Sequence, residues 1–246
     1  MKKNTQYETV QKKIDGMVAV NEKYRLIVKS DENVESPREW DNVGTMVCWH
    51  RRHNLGDKHE HHDAYAFAAS LAMELDPTFE VETCDVSMDE KDKAWKIINE
   101  KCVILPLYLY DHSGITMSTG RFSCPWDSGQ VGWIYCTLEK AKENWMLKGD
   151  EGWDHIVYPD ATEGDYVGKT LMQCAEMILK GEVKCYDNFI TGNCWRFELQ
   201  TKDAEGGWVD DDDRCGGFIG DVKECGIEDH LPEDAGELVK NLEWNS

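Results

Sequence analysis

The spacing of apolar positions divides the chain into strands and helices. Tyr24–Ser30 centres on Leu26, Ile27 and Val28 and predicts a first strand, and Met46, Val47 and Trp49 predict a second over 44–50. A polar, histidine-rich loop over 50–62 leads into a helix. Asp63 suits its N-cap, Phe67, Leu71 and Leu75 recur at four-residue spacing, and Asp76 with Pro77 ends it. Ser87 and Glu90 form a capping-box pattern that opens a second helix through Ala94, Trp95, Ile97 and Ile98 to Lys101.

A strongly apolar strand is predicted over 102–110. Pro106 has no N–H for a ladder and must lie at an edge or a bulge. The following 111–130 is rich in Gly, Ser, Thr and Pro, has no helix or strand period and predicts a long loop, pinned by Phe122 and Trp126. A strand over 131–137 follows, with Thr137 capping a short helix. The longest helix is predicted over 166–188, with an apolar face of Leu171, Ala175, Ile178 and Val183 and a stop at Gly192. Residues 193–200 alternate as a strand, 210–213 form an acidic turn, and 215–220 hold a last short strand. Pro232 opens a terminal helix that buries Leu238, Val239 and Leu242. Irregularly interleaved helices and strands predict an α+β protein: a single mixed or mostly antiparallel sheet, several packed helices and one domain over 1–246, with an acidic C-terminal subregion at 201–246.

Composition agrees with a folded chain. The 41% of hydrophobic residues, with ten Trp and nine Tyr, supplies the apolar area that offsets ordering entropy. No run approaches the roughly 18 apolar residues of a membrane span, and no apolar segment follows the charged N-terminus, so no membrane partner and a cytoplasmic location are expected. Ten cysteines in a chain of this size with no export signal predict reduced thiols rather than a disulfide framework, several of them in apolar runs, such as Cys102 and Cys136.

The net charge of -21 changes the picture more. It is uneven: residues 1–60 nearly balance, with 11 bases against 10 acids, whereas 201–246 hold 14 acids against 4 bases. Such a surface repels phosphate backbones, so direct nucleic-acid binding is not expected, and it attracts proteins with a basic nucleic-acid-binding surface. Solubility alone also accounts for an acidic surface.

Two segments carry candidate chemistry. In the first, five of the eight histidines, His50, His53, His59, His61 and His62, fall within thirteen residues beside Cys48, Asp57 and Glu60. Imidazoles at this density can hold zinc or another transition metal, although the spacing matches no standard zinc pattern, and a solvated loop capping the next helix is the plain alternative. Arg51 and Arg52 are candidates for anion binding through guanidinium forks, or for pairing with Asp57 and Glu60. In the second segment, Asp111 and His112 can supply an oriented base, with Cys124 or Ser113 as nucleophile; an irregular loop without catalysis is the alternative. Gly168, Lys169 and Thr170 end like a phosphate loop, but Glu163 stands where its first glycine belongs.

Residues 41–52 with 54–57, and residues 105–130, resemble segments of an uncharacterised protein family of bacteriophages and integrative elements of Firmicutes. The likeness covers roughly 40–137, and 215–220 is similar as well. No activity, cofactor or catalytic residue comes with that family; the resemblance implies a genomic setting. In that setting an acidic accessory protein is expected to bind and inhibit a host defence factor, such as a nuclease, a restriction enzyme or a CRISPR effector, by presenting carboxylates where phosphates sit. The expected face comprises Asp210, Asp211, Asp212, Asp213, Asp221 and Glu224, with Glu228 and Asp229, and Trp208 and Phe218 as aromatic anchors. The alternatives are a metal-assisted hydrolase in which His50, His53 and His112 converge, and a nucleotide-binding sponge using the two loops, so whether the chain is an enzyme stays open.

Overall fold

The computed structural model describes residues 15–81, 87–159 and 162–245, with the side chains of Asp211 and Asp212 outside that set. The protein is α+β, with two antiparallel sheets. Its described residues divide into two compact units: those up to Glu35 together with those from Gly192 on, and the intervening Ser36–Thr191. Among the described residues no helix is long and apolar enough to cross a membrane.

The first unit is a sheet in which β1 (Met17–Val20) pairs β2 (Tyr24–Ser30), β2 pairs β7 (Cys194–Lys202), and β7 pairs β8 (Trp208–Ile219). A short β9 (Glu243–Trp244) closes the other edge against β1. Leu26, Val28, Phe197 and Leu199 alternate onto one face and bury against Ile227, Leu238, Val239 and Leu242. The terminal apolar run is a 3-10 helix, Gly236–Asn241, and not the expected α-helix. The chain leaves Leu242 in an extended conformation to pair with β1, which leaves no room for further helical turns.

Asp210, Asp211, Asp212 and Asp213, expected in a turn, lie inside β8. Gln200 faces Asp210 and Glu198 faces Arg214, so the single Leu199 stands opposite three residues, 211–213. Leu199 belongs to the core, and the bulge lets the acidic backbone loop out while the ladder resumes on both sides. β8 is an edge strand, and charge on an edge discourages pairing with a further strand.

The second unit has three layers. Its sheet has the order β3 (Thr45–Cys48), β6 (Ser128–Thr137), β4 (Cys102–Asp111), β5 (Ile115–Ser118). Strand alternation sorts the side chains: Val103, Leu107, Ile134 and Cys136 face α3 (Leu138–Asn144) and α4 (Leu171–Ile190), whereas Cys102, Ile104, Trp133 and Tyr135 face α1 (Ala64–Leu75) and α2 (Met88–Lys101). The predicted caps form. Asp63 accepts the Tyr65 and Ala66 N–H groups, Ser87 and Glu90 cap each other's backbone, and Thr137 accepts Lys140 N–H.

Thr170 caps α4 in a second capping box with Gln173, so α4 starts five residues later than predicted and the Gly-Lys-Thr run is a helix start. Pro106 meets both expectations: β5 pairs only with 108–111, leaving Pro106 on an open edge, and the ladder shifts register immediately after it, between Leu107 and Tyr108. The expected long loop over 111–130 contains β5, joined to β4 by a tight turn in which Ser113 has φ 58°. Asp187 of α4 holds β5 by accepting from Thr116 Oγ1 (2.8 Å) and Met117 N (2.6 Å).

An ion network holds the layers. The Arg38 side chain, 4% exposed, donates both ends of its fork to Asp57 (2.7 and 2.8 Å), a third bond to Glu182 (2.9 Å) and a fourth to Gly44 O (2.7 Å). Glu182 in turn accepts Val43 N (2.8 Å), and Asp57 accepts Met46 N (2.8 Å). Burial opposes the guanidinium charge, but the bonds to Asp57 and Glu182 outweigh it and hold Arg38 ionised above its ordinary range.

Nine of the ten cysteines are described, five of them buried, and those other than Cys194 are free thiols; Cys84 lies outside the described residues.

Candidate metal and anion site

The site is built on the end of β3. Cys48 pairs with Gly132 of β6 so closely that a Cβ at 132 would run into Val47 O, so only glycine permits the approach. Beyond Cys48 the chain turns away, and it returns at Gly56, whose φ of 72° suits glycine and which bridges back to Val47. Gly56 N donates to the Tyr186 hydroxyl (3.0 Å), Asp57 N to Met46 O (2.8 Å), and Arg38 clamps Asp57. The loop between is therefore fixed at both ends. Trp49 fastens its outer limb, donating its backbone N–H to Val131 O (2.7 Å) and its indole N–H to His61 O (2.8 Å).

On this frame the His50 and His53 rings stack, with centroids 5.1 Å apart and planes 11° from parallel. Both present Nε2 to Asp111 Oδ2, each at 3.7 Å. Asp111 comes from the end of β4, where its N–H donates to Asp127 O (2.8 Å) at the start of the paired strand β6. His50, His53 and Asp111 are the one group of three metal-ligating residues among the described residues whose ligand atoms lie within 4.8 Å of one another. Arg52 donates to the same oxygen, Asp111 Oδ2.

His50 Nδ1 accepts the backbone N–H groups of Arg52 (3.4 Å) and His53 (3.2 Å), which orients the ring and places the proton of the neutral imidazole on Nε2, toward Asp111. Burial, and then the positive neighbours His53, Arg52 and Arg51, push His50 below the ordinary imidazole range against the pull of Asp111, so the ring is neutral at neutral pH.

The two segments singled out in the sequence therefore meet, but through Asp111 and not through His112. His112 Nδ1 faces Asp127 Oδ2 at 3.5 Å, and Cys124 Sγ donates to that same oxygen at 3.4 Å. Asp127 stands between thiol and imidazole, so the expected Asp111, His112, Cys124 relay does not form. Cys124 is instead tied into its own turn by Ser128 Oγ, which donates to Cys124 O. Phe122 rests on Tyr110 (5.8 Å), whereas Trp126, expected to pin the loop, is 92% exposed.

The other histidines take structural positions. His59 Nε2 bonds to Cys48 O (2.9 Å) and packs edge-on against Trp49 (5.0 Å), leaving a buried Nδ1 with no partner among the described residues. His61 stacks beside it, and burial, then His59, lower its ionisation. His62 is exposed and pairs with the capping Asp63 (3.3 Å).

A cavity of about 780 Å³ opens beside the pair, lined by His50, His53, His59, Arg51, Lys58 and Cys48 among others. Burial pushes the Cys48 thiol up to about 12, so without a metal it is protonated at neutral pH. Arg51 is exposed and makes no ion pair among the described residues; Arg52 pairs with Asp111 and not with Asp57 or Glu60, since Asp57 is taken by Arg38.

In the other unit, Phe218 is buried against Phe197 (5.8 Å) and cannot serve as an anchor. Trp208 is half-buried beneath Arg25 and Lys202. Asp210 bonds to Gln200 (2.6 Å) and pairs loosely with Arg214 (3.5 Å), while Asp213, Asp221, Glu224, Glu228 and Asp229 are exposed.

No family model matches the chain, and neither a curated protein nor a solved structure was found similar to it.

Proposed function

We propose that the chain is a metal-dependent hydrolase whose centre is His50 Nε2, His53 Nε2 and the Asp111 carboxylate. The observation that carries this is the convergence, within 4.8 Å, of ligand atoms from two segments sixty residues apart. Two imidazoles and a carboxylate suit zinc or another first-row transition metal, and three protein ligands leave a position for water, whose pKa such a metal lowers to about 7. His112, next in the chain to Asp111, approaches Asp127 and is an exposed imidazole that can carry a proton to or from the reacting group. A metal held by His50 Nε2 would leave the ring's proton on Nδ1, so the Arg52 and His53 N–H groups would have to give up that acceptor.

Cobalt(II) titration tests the centre, because bound cobalt absorbs visibly. The wild type is expected to take up one equivalent. His53→Ala and Asp111→Asn are expected to weaken binding roughly 10–100-fold, while His62→Ala, on the surface, leaves it unchanged. No stoichiometric uptake by the wild type, or equal losses at His62 and His53, ends the proposal.

A second reading is favoured by the acidic bulge of β8: an inhibitor that offers carboxylates to a basic nucleic-acid-binding protein, within the mobile-element setting that the resemblance implies. Joint Asp210→Lys and Asp213→Lys replacement is expected to abolish salt-sensitive recovery of a nuclease or defence effector from host lysate. Recovery unchanged by charge reversal rules this out.

A further inference from the structure

The Asp111 oxygen nearest both imidazoles is shared, and what shares it is a cation. Arg52 donates to Oδ2, the atom that His50 and His53 each approach at 3.7 Å. A divalent ion seated among those three ligands would lie within a few ångströms of the guanidinium, and two cations at such a distance repel strongly where water is partly excluded. The Arg52 backbone is tied to the same site, its N–H donating to His50 Nδ1 (3.4 Å). Metal on Nε2 leaves that nitrogen protonated and removes the acceptor. Both anchors of Arg52 would thus be weakened in a loaded metal centre. The side chain is already 56% exposed.

We propose that Arg52 is the substrate-binding residue of this site, released from Asp111 by the metal and then engaging a dianionic phosphoryl group held between the guanidinium and the ion. This rests on the metal centre proposed above and names its substrate class. The chemistry follows from the fork: planar, bidentate donation matches phosphate oxygens, and the adjacent metal adds a second positive pole. Arg51, exposed and without an ion pair among the described residues, and Lys58 on the cavity wall extend the positive island in a chain of net charge -21. A carboxylate fits less well, since once both its oxygens meet the fork it has no further oxygen to give the metal, whereas a tetrahedral phosphoryl group does.

Calorimetry with inorganic phosphate, with and without one equivalent of cobalt(II), reads the coupling. Wild-type protein is expected to bind phosphate at least about tenfold more tightly when loaded, and by linkage phosphate tightens cobalt by the same factor. Arg52→Gln is expected to bind cobalt several-fold more tightly than wild type, because the competing cation is gone, and to lose most of the gain in phosphate affinity. Arg52→Lys, which keeps the charge but not the fork, is expected to fall between. Unaltered thermal melting of both variants separates these effects from misfolding. Phenyl phosphate in the same cell distinguishes sources: tighter binding than phosphate identifies an ester ligand, and equal or weaker binding identifies free phosphate, each consistent with phosphoryl recognition. Cobalt binding with phosphate affinity unchanged by metal or by Arg52→Gln overturns the role of Arg52 alone. Failure of the wild type to bind cobalt overturns the metal centre and this role together.

Discussion

Arg38→Met is expected to destabilise the unit that spans Ser36–Thr191 by about 3–5 kcal/mol, the range for removing one partner of a buried ion pair. The arginine satisfies two carboxylates at once, and the Asp57 and Glu182 side chains are only 24% and 11% exposed. Methionine fills much of the volume but leaves both charges without their counter-ion in a setting water reaches poorly. Glu182→Gln, which keeps the shape and most of the hydrogen bonds, is expected to cost less, about 1–3 kcal/mol. Because Arg38 is held ionised above its ordinary range, its own charge is lost only in extreme alkali, and towards acid the network lasts only while the Asp57 and Glu182 carboxylates stay ionised. Chemical denaturation followed by tryptophan fluorescence measures this. A change below about 1 kcal/mol for Arg38→Met would show that the network is ornamental.

Phe67→Ala is expected to have an effect of the same order, about 3–5 kcal/mol, by a different cause. Phe67 is 1% exposed, and its ring lies among Trp49, Trp95, Trp133, Tyr135 and His61 at centroid distances of 5.5 to 6.4 Å. These rings are stiff and bridge helix α1 to the sheet, so the vacated volume collapses poorly. The consequence reaches the histidine loop, because Trp49 both packs on Phe67 and donates to His61 O. A red shift of tryptophan emission before the unfolding transition is the expected signature. A variant with native emission and a loss below about 1 kcal/mol would mean that the aromatic cluster repacks freely.

What the sequence made legible was local. The start of α1 at Asp63 and of α2 at Ser87 could be read because capping satisfies backbone donors within a few residues. The strand character of β4 could be read from its apolar run. The acidic stretch of β8 could not, because four aspartates in a row are indistinguishable from a turn until Leu199 opposite them shows the bulge. Arg38, Asp57 and Glu182 each look like solvated surface in their own segments, and burial arises only when 144 residues of separation between Arg38 and Glu182 are closed. The choice between Asp111 and His112 was also beyond reach. Both neighbours carry suitable chemistry, but the pairing of β4 with β6 and the turn at Ser113 decide which one faces the histidine loop.

The chain order of the two units bears on the order in which they can fold. Strands β2 and β7 are immediate partners, with Ser30 opposite Trp195 and Asp31 N donating to Cys194 O, so the whole of Ser36–Thr191 leaves from and returns to adjacent points. During synthesis every strand and helix of that middle unit leaves the ribosome ahead of β7 and β8. β1 and β2, though made first, have only each other until those strands arrive. The middle of the protein can therefore mature while its flanks wait, and a translational pause once α4 has left the ribosome would favour completion of the histidine site before β7 and β8 join β2.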